Sequence, residues 1–177
     1  MSTHKARLQA ALFFLPTMPA TITIRPERAD QPEVVALLAD LDRYLASLYP
    51  PEANYIMDVR ELLAPEVVFL VARSGSQAVG TGAARVAAGE PATGGLAYGE
   101  IKRMYVDPAY RGERLGVKLL AAVEAQLRAR GVQLATLETG HTQHEAVRLY
   151  ERAGYTARGP FGSYPDNGLS VFYEKAL

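Results

Sequence analysis

An α/β domain layered around a mixed sheet is the fold this sequence predicts, on three observations. The hydrophobic period switches repeatedly between the alternation of strands and the three-to-four spacing of helices. The 177 residues suit one domain. No internal repeat and no linker-like composition shift divides residues 20–177, so they are expected to share one core.

The first strand is expected at residues 21–25, TITIR, which is β-branched and alternating. A helix follows. Asp30 with Glu33 three residues on resembles a capping box, Pro32 suits a first turn, and Val34, Leu37, Leu38, Leu41, Leu45 and Leu48 form an apolar stripe. YPPE breaks it, and residues 55–63 read as a second short helix. EVVFLVARSGSQAVGTGAARV gives two strands about the Ser74-Gly75-Ser76 turn. After a flexible loop, YGEIKRMYV (98–106) is a strand ending at Asp107-Pro108. Leu115, Leu119, Val123 and Leu127 then mark a helix closed by Gly131. QLATLETG is a buried strand, Thr142 with Glu145 opens a capping-box helix that Gly154 ends, and the tail reads as two strands around a Gly/Pro/Asp/Asn loop. Residues 1–19 read as a disordered extension, with Met18 an alternative start and only a faint signal-peptide outline in Leu8 to Leu15.

Composition narrows the function. Nineteen basic residues balance nineteen acidic ones at a pI near 6.8, so no global field recruits nucleic acid or an anionic membrane, and any anion site is local. No stretch reaches the length of a membrane span. The absence of cysteine excludes disulfides, thiolate metal sites and a cysteine nucleophile, and fits a cytoplasmic protein. His141 and His144 lie three apart with no third ligand near them, so no metal is expected.

One stretch carries chemistry. DPAYRGERLGVKLL places Arg111, Gly112, Arg114 and Gly116 where a strand becomes a helix. A helix that starts there offers unpaired N–H groups and a positive dipole end, glycines admit a phosphate to the main chain, and arginines add charge-assisted hydrogen bonds. The stretch is suited to pyrophosphate, yet it matches neither the P-loop nor the Rossmann pattern, which argues against a nucleotide-binding module.

YGEIKRMYVDPAYRGERLGVKLL resembles the acetyl-CoA-binding core of the GNAT N-acetyltransferases, whose loop is Arg/Gln-x-x-Gly-x-Gly/Ala, and HEAVRLYERAGY resembles the second motif of that family. The order of elements over residues 20–177 is similar too, and LYPPE, LETG and the C-terminal segment resemble a small bacterial branch of largely unassigned substrate. The sequence departs from the pattern at Arg114, where a Gly is usual, and at Gln143, where an Asn is common. The resemblance implies a mixed, mostly antiparallel sheet of about six or seven strands flanked by about four helices. It implies a pantetheine arm along the backbone of Met104, Tyr105 and Val106, a pyrophosphate among Arg111, Gly112, Glu113, Arg114, Leu115 and Gly116, a contact at Gln143, and Lys118 as a candidate for the adenosine phosphates. Tyr150 matches the family's hydroxyl near the thioester sulfur.

Acetyl transfer to an amine requires a base or a water chain. Glu100 is the leading candidate, since the resemblance to the histone-modifying branch places a base eleven residues before Arg111. Strand alternation would set it on one face with Lys102, Met104 and Val106, where it could also simply pair with Lys102. Glu138 is the alternative, and bulk water the third. Tyr49, Tyr55 and Tyr164 are candidates for the acceptor pocket, with Tyr44 and Asp166 nearby. The expected activity is acetyl transfer from acetyl-CoA to a primary amine on a small molecule or a peptide. A homodimer is common in the family, and a non-catalytic acyl-CoA-binding regulator on the same fold is the alternative.

Overall fold

The structure, a computed structural model, describes residues 21–177. The expectations for the N-terminal extension, Met18 included, lie outside the described residues. The described residues form seven strands: β1 Ile22–Pro26, β2 Val67–Ser74, β3 Gln77–Ala87, β4 Tyr98–Val106, β5 Leu134–Gly140, β6 Thr156–Arg158 and β7 Ser170–Ala176. Three α-helices join them: α1 Pro32–Leu48, α2 Leu115–Ala129 and α3 His144–Arg152. They form one sheet in the order β1-β2-β3-β4-β5-β7-β6, antiparallel except for β4 beside β5.

Alternation along β2 sets up the two layers. Val67, Phe69 and Val71 pack on Val34, Leu37 and Leu38 of α1. Val68 and Leu70 face the other way, onto Leu120, Val123 and Leu127 of α2. At about 1.5–3 kcal/mol for each fully buried aliphatic side chain, these two interfaces hold the helices to the sheet.

Three local expectations are corrected. The segment after α1 is not a helix but two single 3₁₀ turns, Pro51–Ala53 and Glu61–Leu63, joined by irregular chain. Neither Asp30 nor Thr142 caps a helix. The N-cap of α1 is Gln31, because Asp30 pairs with Arg28 and Glu33 reaches Arg73 across the sheet edge. The N-cap of α3 is Gln143, while the Thr142 hydroxyl bonds the phenol of Tyr49.

The third correction matters for the site. Along the β3 ladder Thr81 pairs with Tyr105 but Ala83 with Lys102, so β4 carries one extra residue opposite Gly82. Arg103 sits in that bulge with φ 54. Glu100 and Lys102 therefore face one way, whereas Met104 and Val106 pack under α2 with Leu119 and Leu115, contrary to the alternation expected for this strand.

Candidate active site

The sheet opens where the bulge falls. β4 pairs with β5 from Tyr98↔Leu134 only as far as Ile101↔Leu137, although β4 runs on to Val106 and β5 to Gly140. Beyond that point the facing edges have no strand between them. They border a cleft of about 800 Å³ lined by Ile101 to Val106 on one side and by Glu138, Thr139 and Gly140 on the other. Unpaired backbone groups along such a split invite an extended ligand that completes the ladder.

The cleft continues to the start of α2. Arg111, Gly112, Arg114, Leu115 and Gly116 line it, and Glu113 does not. Gly112 has φ 91, and Arg114, the N-cap of α2, holds the left-handed conformation with φ 59 although it is not a glycine. Nothing acidic stands in the first turn and no side chain caps it, so its N–H groups and dipole face an anion unopposed. Arg111 donates from Nε to the Val106 carbonyl at 3.1 Å and lies over the Tyr105 ring. Gly116 also has a packing reason, since a β-carbon there would crowd the Leu149 side chain of α3. Lys118 is not part of the lining, whereas Arg148, which the sequence reasoning missed, is. Arg148 lies one turn beyond His144 on α3, and only the packing of the helices brings it to the cleft.

The two carboxylates stand apart. Glu138 lines the main cleft on the free edge of β5, accepts a hydrogen bond from Ser170 Oγ at 2.6 Å, and has its pKa raised by burial. The Ser170 bond and the charge of Lys102 oppose that shift, and the charge of Glu100 adds to it. Glu100 is 1% exposed and borders a second, smaller cavity of about 210 Å³, with Arg85, Tyr98, Phe161 and Tyr164. Its oxygens are engaged by Arg85 Nη2 at 2.9 Å, by the Tyr164 hydroxyl, and by Lys102 Nζ at 3.3 Å. Lys102 also donates to the Tyr55 carbonyl at 3.0 Å and to the Tyr164 hydroxyl at 2.7 Å. Tyr55, Ile56 and Lys102 line both cavities and so form the partition between them.

Of the aromatic candidates, Tyr49 and Tyr55 line the main cleft, Tyr164 only the smaller cavity, and Tyr55 packs edge-on to Tyr164 with centroids 4.8 Å apart. Tyr44 lines the cleft and is 45% exposed, so it is not a core residue. Asp166 belongs to neither lining. Tyr150 on α3 lines the cleft at 7% exposure, and burial, followed by the charge of Glu138, raises its pKa. Gln143 and His144 line it too, while His141 turns its Nδ1 to the Leu169 carbonyl. Among the described residues no group of His, Asp or Glu is arranged to hold a metal, and no helix is long and apolar enough to cross a membrane.

The uncapped, glycine-turned helix start after β4 is the arrangement expected from the sequence, the split sheet beside it was not foreseen, and comparison with known proteins decides the family. The model of the Acetyltransferase (GNAT) family matches residues 34–155. The chain belongs to the GNAT acetyltransferase family. It is 44% identical over 156 residues to an IAA acetyltransferase of Azospirillum brasilense, covering 88% of this chain and 98% of that one. A Klebsiella pneumoniae structure named for acyl-CoA N-acyltransferase activity superposes with a TM-score of 0.73 at 40% identity, covering 89% of this chain and 99% of that one. The PaiA N-acetyltransferase of Thermoplasma acidophilum, solved with coenzyme A, shares the fold with a TM-score of 0.68 at 19% identity, covering 89% and 99%. The GNAT assignment makes this acetyltransferase an enzyme whose structural relatives carry coenzyme A, and the orphaned strand edges and α2 N-terminus fit that group.

Proposed function

We propose that this GNAT protein transfers acetyl from acetyl-CoA to a primary amine in a ternary complex, with Glu138 taking the amine's proton. The reading rests on one observation: Glu138 lines the cleft on the free β5 edge with a pKa raised by burial, whereas Glu145, the other carboxylate of the lining, is exposed on α3. A raised carboxyl is better matched to accept a proton near neutral pH than an ordinary one. Glu100, the leading candidate from sequence, lies behind the Tyr55 and Lys102 partition with its carboxylate already held by three donors, which suits holding the acceptor side in shape.

The free edge of β4 from Lys102 to Val106 would bind the pantetheine amides, and Gly112, Arg114 and the first N–H groups of α2 would hold the pyrophosphate. When bound, acetyl-CoA supplies an acetyl group already activated as a thioester, so no covalent enzyme intermediate is needed and orientation carries much of the rate. Tyr150 keeps its proton at all physiological pH values, because burial holds its pKa above the ordinary phenol range. With a thiol pKa near 8.5, complete proton transfer from such a phenol is uphill, so Tyr150 serves as a hydrogen-bond donor toward the departing sulfur. The acceptor would enter past Tyr49, Tyr55 and the Lys102 partition.

The test is free-thiol release over a panel of amines, with IAA, the compound in the Azospirillum relative's name, beside them. Glu138→Gln is expected to lower kcat by about 100-fold or more with unchanged affinity for coenzyme A, and to abolish the acidic limb of the kcat/KM profile. Near-normal turnover in Glu138→Gln, with the large loss in Glu100→Gln instead, would transfer the base to Glu100.

A further inference from the structure

Among the described residues two non-glycine side chains hold a positive φ, Arg114 at the α2 cap and Arg103 inside β4. The second is the less expected, since the left-handed position of a strand bulge ordinarily falls to glycine. Arg103 also carries a second cost. Its Nε–H is buried and has no hydrogen-bond partner among the described residues. A position shaped for stability alone would hold a glycine or an apolar residue there.

What Arg103 does have is a tie to another layer. Its side chain is 4% exposed and reaches α1, where Nη1 pairs with Asp42 and Nη2 donates to the Leu38 carbonyl at 3.3 Å. From the β3 side, the fully buried Thr81 donates its hydroxyl to the Arg103 carbonyl at 2.9 Å. The bulge is thus gripped by its side chain and by its main chain. It begins at Arg103, two residues past Ile101↔Leu137, the last β4–β5 pair, so the gripped residue stands at the apex of the split.

We infer that Arg103 is a positioning residue: its tie to Asp42 and Leu38 on α1 holds β4 in the left-handed bulge that keeps the β4/β5 slot open for coenzyme A. The inference rests on the cofactor reading above and adds to it a residue that need not touch the cofactor's reacting atoms. The same tie fixes β4 to the helix whose Leu41, Tyr44 and Leu45 line the cleft, so cofactor slot and acceptor wall share one anchor. With the guanidinium gone, β4 from residue 102 to 106 can relax toward regular alternation and close on the β5 edge.

Calorimetric titration with coenzyme A, which involves no turnover, reads the slot directly, and amide hydrogen exchange reads β4. Arg103→Ala is expected to raise Kd about tenfold and Asp42→Asn about threefold to fivefold, while Arg103→Lys, which keeps a cation for Asp42, recovers most of the affinity. Amides of residues 102–106 should lose protection while those of α2 keep theirs. Wild-type Kd values in both Arg103→Ala and Asp42→Asn would overturn the inference. Should Arg103→Ala fail to fold, Asp42→Asn decides: weaker binding at an unchanged Tm supports the tie, and unchanged binding refutes it. A wild-type protein that does not bind coenzyme A would instead remove the cofactor reading, and this inference with it.

Discussion

Replacing Gly140 by alanine tests the wall of the cleft with a single methyl group. Gly140 ends β5, and a β-carbon on it would overlap the Tyr49 phenol ring and hydroxyl, far inside contact distance. Tyr49 cannot simply swing away, because it is 8% exposed and its hydroxyl is bonded to Thr142. Overpacking of this kind costs about 1–3 kcal/mol, and loss of the Tyr49–Thr142 bond adds about 1 kcal/mol. Against this, a strand Gly→Ala change without a clash gains about 0.4–1 kcal/mol from the unfolded chain, so the clash decides the sign. The expected net loss of about 2–3 kcal/mol corresponds to a Tm fall of roughly 5–10 °C for a chain of this size. Denaturant unfolding of Gly140→Ala, Tyr49→Ala and the double variant measures it. In the Tyr49→Ala background the added methyl should cost less than about 0.5 kcal/mol. A Gly140→Ala protein as stable as the wild type, or one whose loss is the same in both backgrounds, would refute the argument.

Two further outcomes follow from named residues. Arg114→Gly relieves the left-handed backbone at the α2 cap and should be more stable than Arg114→Ala by about 0.5–1 kcal/mol after allowing for glycine's extra freedom when unfolded. Both variants should bind coenzyme A several-fold more weakly, with a shallower salt dependence, because both lose the cation. At the far sheet edge, hydrogen bonds from Arg73 are the largest of the causes that lower the Glu27 pKa to about 2, and Glu27 is 11% exposed. Since the folded pKa lies below the unfolded one, its contribution, at most about 3 kcal/mol, is present above pH 4.5 and is lost as pH falls toward 2. Urea unfolding at stepped pH should show a slope over that interval that Glu27→Gln flattens.

Much of this architecture could be read from residue order because local signals agreed with tertiary demands. The apolar run of β2 and the four-residue apolar spacing of α2 form the expected elements, and the Ser74-Gly75-Ser76 signal marks a real hairpin whose turn is Gly75-Ser76, since Ser74 already pairs with Gln77. The capping residues misled because Asp30, Glu33 and Thr142 found better partners in Arg28, Arg73 and Tyr49 than in their own helix starts. The bulge at Arg103 was hidden for a different reason. An arginine gives no sequence sign of a positive φ, so a strand read by strict alternation put Met104 and Val106 on the face of Glu100 and Lys102. The Arg111–Gly116 loop was legible because its glycine and charges are contiguous, whereas Arg148 contributes from α3 and becomes visible only when the helices are packed.

The most direct test of the account is calorimetric titration of the wild-type protein with acetyl-CoA and, separately, with ATP. The split strands and the α2 start predict one site per chain with micromolar affinity for acetyl-CoA, weakening as salt rises, and ATP binding at least about 100-fold weaker because no pantetheine arm reaches the free β4 edge. Absent acetyl-CoA binding, or equal affinity for ATP, would contradict it.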